Sequence, residues 1–155
     1  MWTYQQATGR LYHDSDLVAI GYAGHGEGLN NPAMEGVEGV GPLPCGLYLI
    51  GAPFDHPRCG PFSMRLTPAP ETALFGRAGF LIHGDTPSMD HTASDGCIIL
   101  GRDVRGRIAA SGDATLRVVS GEGADGVAAR PALAVPQVGV PRDSAWQPEE
   151  PSENA

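Results

Sequence analysis

The sequence predicts a mainly β domain with one or two short helices. Turn residues are frequent, with 22 glycines and 14 prolines among 155 residues, and such punctuation favours short strands over long helices. The apolar runs between them are brief, and some alternate with polar residues as a half-buried strand does. The chain length suits one domain with a substantial core.

Six segments have the pattern of strands, and glycine or proline residues bound most of them. The first, residues 1–6 (MWTYQQ), alternates in the manner of an edge strand, and TGR supplies a hairpin turn after it. The second runs into a glycine-rich loop, GHGEGLNNPAMEG. The third and fourth form a predicted pair, the fifth is short and buried, and the sixth closes the domain. The five later segments cover residues 17–24, 45–51, 62–68, 79–84 and 114–120.

One helix is predicted over residues 102–112 (RDVRGRIAASG). Asp103 stands near its N-terminus, Val104 and Ile108 share a face at i, i+4, and Gly112 occupies the expected C-cap position.

The composition changes at Gly121. Residues 121–155 hold five prolines, and six acidic residues against two arginines, a composition typical of a flexible tail. We therefore predict a folded domain over residues 1–120 and an acidic, proline-rich, partly disordered tail over residues 121–155. Whether the tail grips the domain or docks onto a carrier or inhibitor stays open.

Composition also excludes several classes of function. A formal net charge of −8 argues against an electrostatic grip on nucleic acid or an anionic membrane. The chain has no lysine, which excludes Schiff-base chemistry and a lysine-based phosphate loop. No apolar run approaches the roughly 20 residues of a membrane helix, so no membrane insertion is expected. The first ten residues lack the basic and apolar regions of a secretory signal, so we expect synthesis in the cytoplasm without one.

The most informative stretch is residues 80–100 (FLIHGDTPSMDHTASDGCIIL), where polar residues stand between two apolar runs. One interpretation is a zinc site, because His83 and Asp90 have the spacing H-x6-D, with His91 and Cys97 close by. Zinc needs three or four converging ligands, and no histidine follows His91 to complete a Glu-x-x-His motif. A second interpretation is structural, since histidine and free cysteine are often simply buried.

The third interpretation is a Cys-His nucleophile. His83 ends one apolar run and Cys97 begins the next, and strand ends are where a scaffold presents chemistry. A thiol is mostly protonated at neutral pH, so it needs a neighbouring imidazole to accept its proton. The amides of Gly96 and Cys97 are expected to face a developing oxyanion. The chain's three cysteines cannot all pair, and a Cys45–Cys59 disulfide stays open.

This order and spacing resemble the active-site motif of the L,D-transpeptidases, in which His-Gly leads to Ser/Thr-His-Gly-Cys. His83–Gly84 and Ser94–Cys97 stand at the matching places. The chain is most similar to the short effectors of this family that type VI secretion systems deliver, over about residues 1 to 119. Five segments carry that likeness, namely Trp2/Tyr4, Tyr22 to Pro32, Gly41 to Tyr48, Arg77 to Asp85, and Ser94 to Ile98.

The resemblance implies the L,D-transpeptidase catalytic fold and its chemistry, with no cofactor and no metal. Cys97 is the implied nucleophile, and His83 the general base with its ring held by the Gly84 carbonyl. Ser94, Asp95 and Gly96 complete the implied catalytic motif. Asp95 replaces the family's second histidine, and Ile99 stands where many members carry Arg or Asn.

The implied substrate is the tetrapeptide stem of peptidoglycan, which would be hydrolysed or exchanged in the periplasm of a target bacterium. We expect Arg77, Tyr22 and Arg102 to contact it, with Arg105 as a further candidate for a carboxylate contact. A cognate immunity protein and a secretion-apparatus carrier are the expected protein partners. The alternatives are a catalytically idle cell-wall-binding or structural module, and a zinc-dependent peptidoglycan peptidase.

Overall fold

The computed structural model describes residues 1–85 and 94–121. The predicted tail beyond Gly121 and the residues Asp90 and His91 therefore lie outside the described residues. Within these ranges the fold is mostly β, with one α-helix, α1 (Arg102–Ser111), and two single 3₁₀ turns at Gly26–Gly28 and Pro32–Met34. The strands are β1 (Trp2–Gln5), β2 (Arg10–His13), β3 (Asp16–Ile20), β4 (Tyr22–Ala23), β5 (Gly46–Ile50), β6 (Phe54–His56), β7 (Gly60–Pro68), β8 (Leu81–His83), β9 (Ile98–Ile99) and β10 (Thr115–Val119).

The described strands form a single path in the order β3-β2-β1-β10-β5-β7-β8-β9-β4, with β6 paired to β7 beside it. The two ends of this path, β3 and β4, are separated in the chain by Gly21 alone. The sheet must therefore curl until its ends adjoin. Gly21 fits this corner because a Cβ there would lie 2.1 Å from the carbonyl oxygen of Ile99.

The six predicted strand segments are present, with corrections. The segment at residues 17–24 divides into β3 and β4 at Gly21, and the strands β2, β6 and β9 lie outside the predicted segments. The edge position predicted for β1 is wrong, because β1 pairs with β2 on one side and, in parallel, with β10 on the other. The exposed edge belongs instead to β3, where Leu17 and Ile20 are exposed.

The predicted helix is confirmed as α1 and ends where expected. Gly112 caps it with a φ of +75°, the left-handed conformation that glycine adopts without strain. Ile108 is buried in the core and Val104 packs against it, so the i, i+4 face is the buried one. In the described ranges no helix is long and apolar enough to cross a membrane.

The core fills one face of the strands that carry the candidate site. Ile82, Ile98 and Ala23 belong to the hydrophobic core cluster, and they are paired across β8, β9 and β4. The next row of paired residues is His83, Ile99 and Tyr22. Because neighbouring residues of a strand point to opposite faces, this second row lies on the face away from that cluster.

Candidate active site

His83 is the last residue of β8 and is only 4% exposed. Its Nδ1 lies 2.9 Å from the carbonyl oxygen of Gly84, and since a carbonyl can only accept, Nδ1 carries the proton. The hydrogen bond that the sequence resemblance implied is therefore present. It leaves the other ring nitrogen, Nε2, with the lone pair that a general base needs.

The surroundings of His83 keep its ring neutral. Burial lowers the pKa of His83 below its usual value of 6.5, and electrostatic interactions with Arg105 and His56 act in the same direction. The Gly84 hydrogen bond and Asp85 oppose that shift. A neutral imidazole can accept a proton and a charged one cannot, so this environment favours the base form.

Cys97 directly precedes β9, and its thiol is protonated at neutral pH. Burial raises the pKa of the Cys97 thiol to about 11, helped by Cys59 and Asp95 and opposed by the Leu81 amide and Arg77. The Leu81 N–H donates a hydrogen bond to Sγ across 3.3 Å. A nucleophilic role for this thiol therefore requires a base that removes its proton during attack.

Parallel pairing of β8 with β9 brings Cys97 into the neighbourhood of His83. Ile82 pairs with Ile98 and His83 with Ile99, so Cys97 is two residues before the partner of His83. The strand spacing and rise place the two Cα atoms about 8 Å apart on the diagonal. The hydrogen bonds of Sγ involve the Leu81 amide and the Gly79 carbonyl, so the thiol must turn towards the ring before it can transfer its proton.

Residues 94–97, which we call the nucleophile turn, are fixed by contacts to all four of their carbonyl oxygens. The donors are the His25 ring to Ser94 O (2.9 Å), Arg77 Nη2 to Asp95 O (3.0 Å), the Leu43 amide to Gly96 O (2.9 Å), and Ser94 Oγ to Cys97 O (2.6 Å). With every carbonyl tied to a donor, the peptide planes of the turn have set orientations. The turn is thus a rigid support for Cys97.

Ser94 organises this turn from inside. Its side chain is fully buried, and Oγ accepts hydrogen bonds from the amides of Gly24 (2.8 Å) and Gly96 (3.0 Å) while it donates to Cys97 O. The expectation that the Gly96 amide faces the oxyanion is therefore wrong, because that amide is taken by Ser94. Among the described residues no loop or turn contact takes up the Cys97 amide, so it remains the candidate oxyanion donor of the turn.

Arg77 supports the turn instead of standing open to a substrate. It is 4% exposed, and its guanidinium donates to the carbonyls of Glu35, Gly41, Pro42 and Asp95. The guanidinium is therefore occupied by four carbonyls, and Arg77 positions the turn where a substrate contact was predicted. These bonds also explain Gly96, whose φ is +139° and where a Cβ would lie 2.5 Å from Arg77 Nη2.

The other predicted substrate contacts have different surroundings. The Tyr22 hydroxyl donates to Asp85 Oδ1 across 2.6 Å, so Tyr22 contacts the residue two positions after His83. Arg102 is exposed at the start of α1, with its guanidinium 4.1 Å from the centre of the Phe62 ring. No contact brings Arg102 to the nucleophile turn within the described part of the chain.

Arg105 lies closer to the site than Arg102. It is buried and donates to the carbonyls of Leu100, Pro61 and Phe62. A Cβ on Gly84 would lie 2.8 Å from Arg105 Nη2, so this guanidinium packs against the peptide that holds the His83 ring. It acts on His83 as a fixed positive charge.

His25 is a site residue that the sequence analysis missed. Its Nδ1 donates to Ser94 O and lies 3.7 Å from Asp95 Oδ1. The only signal in the sequence was a histidine in the glycine-rich loop that follows Tyr22. Asp95 itself is exposed, with 70% of its side chain accessible.

The sequence also left open a zinc site and a Cys45–Cys59 disulfide. In the described ranges, the His, Cys, Asp and Glu side chains close enough together to share a metal ion are His13, Asp14 and Asp113, and none belongs to the predicted zinc set. Cys45, Cys59 and Cys97 are all free thiols, so the Cys45–Cys59 pairing is absent.

Comparison with known proteins gives one match. The family model described as the Tlde1 domain matches residues 18–120, more than half of the chain. No curated protein and no solved structure matches it.

Proposed function

The chain belongs to the Tlde1 domain family, the L,D-transpeptidase effectors of type VI secretion, and on that premise we propose that it is a cysteine enzyme of peptidoglycan stems. The family supports an enzyme with peptidoglycan-related activity. Cys97 is the proposed nucleophile and His83 its base. The observation that carries this proposal is the rigid nucleophile turn, which holds Cys97 at the start of β9, next to the strand that ends in a neutral, oriented His83.

The proposed acylation step needs only residues of this site. Nε2 of His83 accepts the thiol proton as Cys97 Sγ attacks the carbonyl carbon of the third stem residue. The carbonyl oxygen becomes an oxyanion and accepts a hydrogen bond from the Cys97 amide. The C–N bond then breaks, His83 returns the proton to the departing D-alanine amine, and a thioester remains on Cys97.

Deacylation decides the product. Water or an amine attacks the thioester, His83 takes the attacker's proton, and Cys97 leaves and is reprotonated. Water gives L,D-carboxypeptidase action, whereas a D-amino acid or a neighbouring stem amine gives exchange or transpeptidation. All three products come from one acyl-enzyme.

The pKa values support general-base catalysis over a resting ion pair. The pKa of Cys97 is raised to about 11 and that of His83 is lowered, so the neutral thiol and neutral imidazole predominate before substrate binds. Removing a general base typically costs 10²- to 10⁴-fold in rate. His83→Ala is therefore expected to be folded and nearly inactive.

An idle binding module is the second candidate, and the resting thiol is the observation that favours it. Sγ contacts Leu81 and Gly79 instead of the His83 ring, as it would if the thiol were only structural. Purified muropeptides with tetrapeptide stems separate the two hypotheses by product mass. The enzyme hypothesis is supported if wild type and Cys45→Ser remove or exchange the terminal D-alanine and Cys97→Ala does not. The binding-module hypothesis is supported if all three proteins leave the stems unchanged.

We place the site of action in the periplasm of a target cell, with a cognate immunity protein in the producer and a secretion-apparatus carrier for delivery. Fusion to a secretory signal tests the location. The exported wild type is expected to cause swelling or lysis, and the unfused chain and exported Cys97→Ala are expected to be harmless. Equal killing by the unfused chain would contradict a periplasmic target. A chelator arm in the muropeptide assay tests the zinc hypothesis, since metal-free catalysis survives EDTA.

A further inference from the structure

The nucleophile turn is contacted by a histidine other than His83, from a loop that the cysteine mechanism does not use. His25 follows β4, and its backbone N–H is fixed to the carbonyl of Val40 across 2.9 Å. Its ring Nδ1 lies 2.9 Å from Ser94 O. Because a carbonyl can only accept, the ring must donate through Nδ1.

The loop forms two hydrogen bonds to Ser94. The Gly24 amide donates to Ser94 Oγ across 2.8 Å, and the His25 ring donates to Ser94 O. The loop requires glycine at position 24, since the residue has a φ of +84° and a Cβ there would lie 2.4 Å from Gly28 O and 2.8 Å from Val40 O. Consecutive residues of one rigid loop therefore fix both polar ends of the same serine.

From these contacts we propose that His25 is a positioning residue of the active site, which fixes the first peptide of the nucleophile turn and thereby the direction of the Cys97 amide. The proposal rests on the cysteine mechanism above. The Gly24 and His25 contacts together anchor Ser94 at the start of the turn, and the bond from Ser94 Oγ to Cys97 O ties that start to the last residue of the turn. If the hydrogen bond from His25 is lost, Ser94 O has no donor from this ring, and the Ser94–Asp95 peptide plane is less firmly fixed.

The hydrogen bond from His25 acts on the chemical step and not on substrate binding, because its acceptor, Ser94 O, belongs to the turn that carries the nucleophile.

A pair of nearly isosteric variants isolates the hydrogen bond. The Nδ2 group of asparagine matches the position of histidine Nδ1, so His25→Asn keeps a donor to Ser94 O, whereas His25→Leu has similar size and no donor. His13→Asn is the matched control, because His13 stacks on Trp2 and bonds Asp113 at the far end of the β2–β3 hairpin. Thermal unfolding of each variant shows that it is folded.

The readout is the split between kcat and KM on tetrapeptide muropeptides. For His25→Leu we expect kcat to fall about 10- to 100-fold, the loss that a small misplacement of reacting groups produces, with KM unchanged. His25→Asn should recover most of that loss, and His13→Asn should match wild type. Alkylation of Cys97 by iodoacetamide, which forms no oxyanion, should proceed at similar rates in wild type, His25→Asn and His25→Leu.

The proposal is overturned if folded His25→Leu has the kcat of wild type, if His25→Asn is no better than His25→Leu, or if alkylation falls in parallel with kcat. A positive turnover assay with Cys97→Ala would instead overturn the cysteine mechanism itself, and this proposal with it. An inactive Cys97→Ala with fully active His25→Leu removes only the role of His25.

Discussion

The backbone amide of Leu81 donates a hydrogen bond to the thiol sulfur of Cys97 across 3.3 Å. Strand β8 therefore contacts the nucleophile near its start and supplies the base, His83, at its end. This bond lowers the pKa of Cys97, but burial outweighs it and the pKa stays near 11. The thiol is thus held in the site in its protonated form, and its reactivity depends on His83.

The pH profile of kcat/KM should show this dependence. His83 must be neutral to act as a base, and its pKa is lowered below 6.5. Activity is therefore expected to fall with a midpoint below pH 6.5, as the ring gains its proton. At alkaline pH the Cys97 thiol should ionise with a midpoint near pH 11. An acid limb centred above pH 6.5 in muropeptide turnover would contradict this assignment.

Arg105 should shift that acid limb through its charge. It is one of the groups that lower the pKa of His83, so Arg105→Gln should raise the pKa of His83 and move the acid limb to higher pH. Arg105→Lys loses much of the same hydrogen bonding but keeps the positive charge, and it serves as the control. If both variants shift the limb equally, or neither does, the charge of Arg105 is not what acts on His83.

Ser94→Ala should destabilise the domain as well as inactivate it. The change leaves two amides and the Cys97 carbonyl without the partner that Ser94 Oγ supplies. A buried polar group that loses its partner costs about 1–3 kcal/mol, so we expect at least that fall in the unfolding free energy measured with urea. A variant as stable as wild type would show that these contacts contribute little.

Much of the fold could be predicted from the sequence because its signals are local. The buried strand before His83, the closing strand and the helix with its Gly112 cap depend on apolar spacing and turn residues over fewer than about a dozen positions. The parallel pairing of β1 with β10 joins residues such as Trp2 and Leu116, and no local pattern indicates such a pair. That pairing is why β1 is not the predicted edge strand.

In the candidate site, too, the residues with local sequence signals could be proposed from the sequence, and the residues defined by long-range contacts could not. Cys97 and His83 lie close together in the chain and belong to a motif, so spacing and resemblance were enough to propose them. The roles of Arg77 and His25 depend on their hydrogen bonds to the carbonyls of Asp95 and Ser94. In each case the donor and the acceptor belong to segments that are separated in the sequence. Only the folded chain shows that Arg77 is occupied and that His25 touches the turn.

Two glycine substitutions should have opposite effects on stability. At Gly96 a Cβ would lie 2.5 Å from Arg77 Nη2, and the residue has a φ of +139°, so Gly96→Ala should destabilise the domain and abolish activity. Gly106 lies inside α1 with nothing within 4 Å of its Cβ position. Gly106→Ala should therefore stabilise the domain by about 0.5–1 kcal/mol without loss of activity. Chemical unfolding of both variants checks the pair, and a tolerated Gly96→Ala would contradict the packing described for the turn.

The central claim is that Cys97 becomes covalently acylated by the peptidoglycan stem. Intact-mass spectrometry after rapid acid quenching of the protein with a tetrapeptide muropeptide tests it most directly. Wild type and Cys45→Ser should gain the mass of the muropeptide less its terminal D-alanine, with the adduct mapped to Cys97, and Cys97→Ala should gain nothing. An adduct of that mass on Cys97→Ala, or D-alanine release by Cys97→Ala at the wild-type rate, would contradict the account.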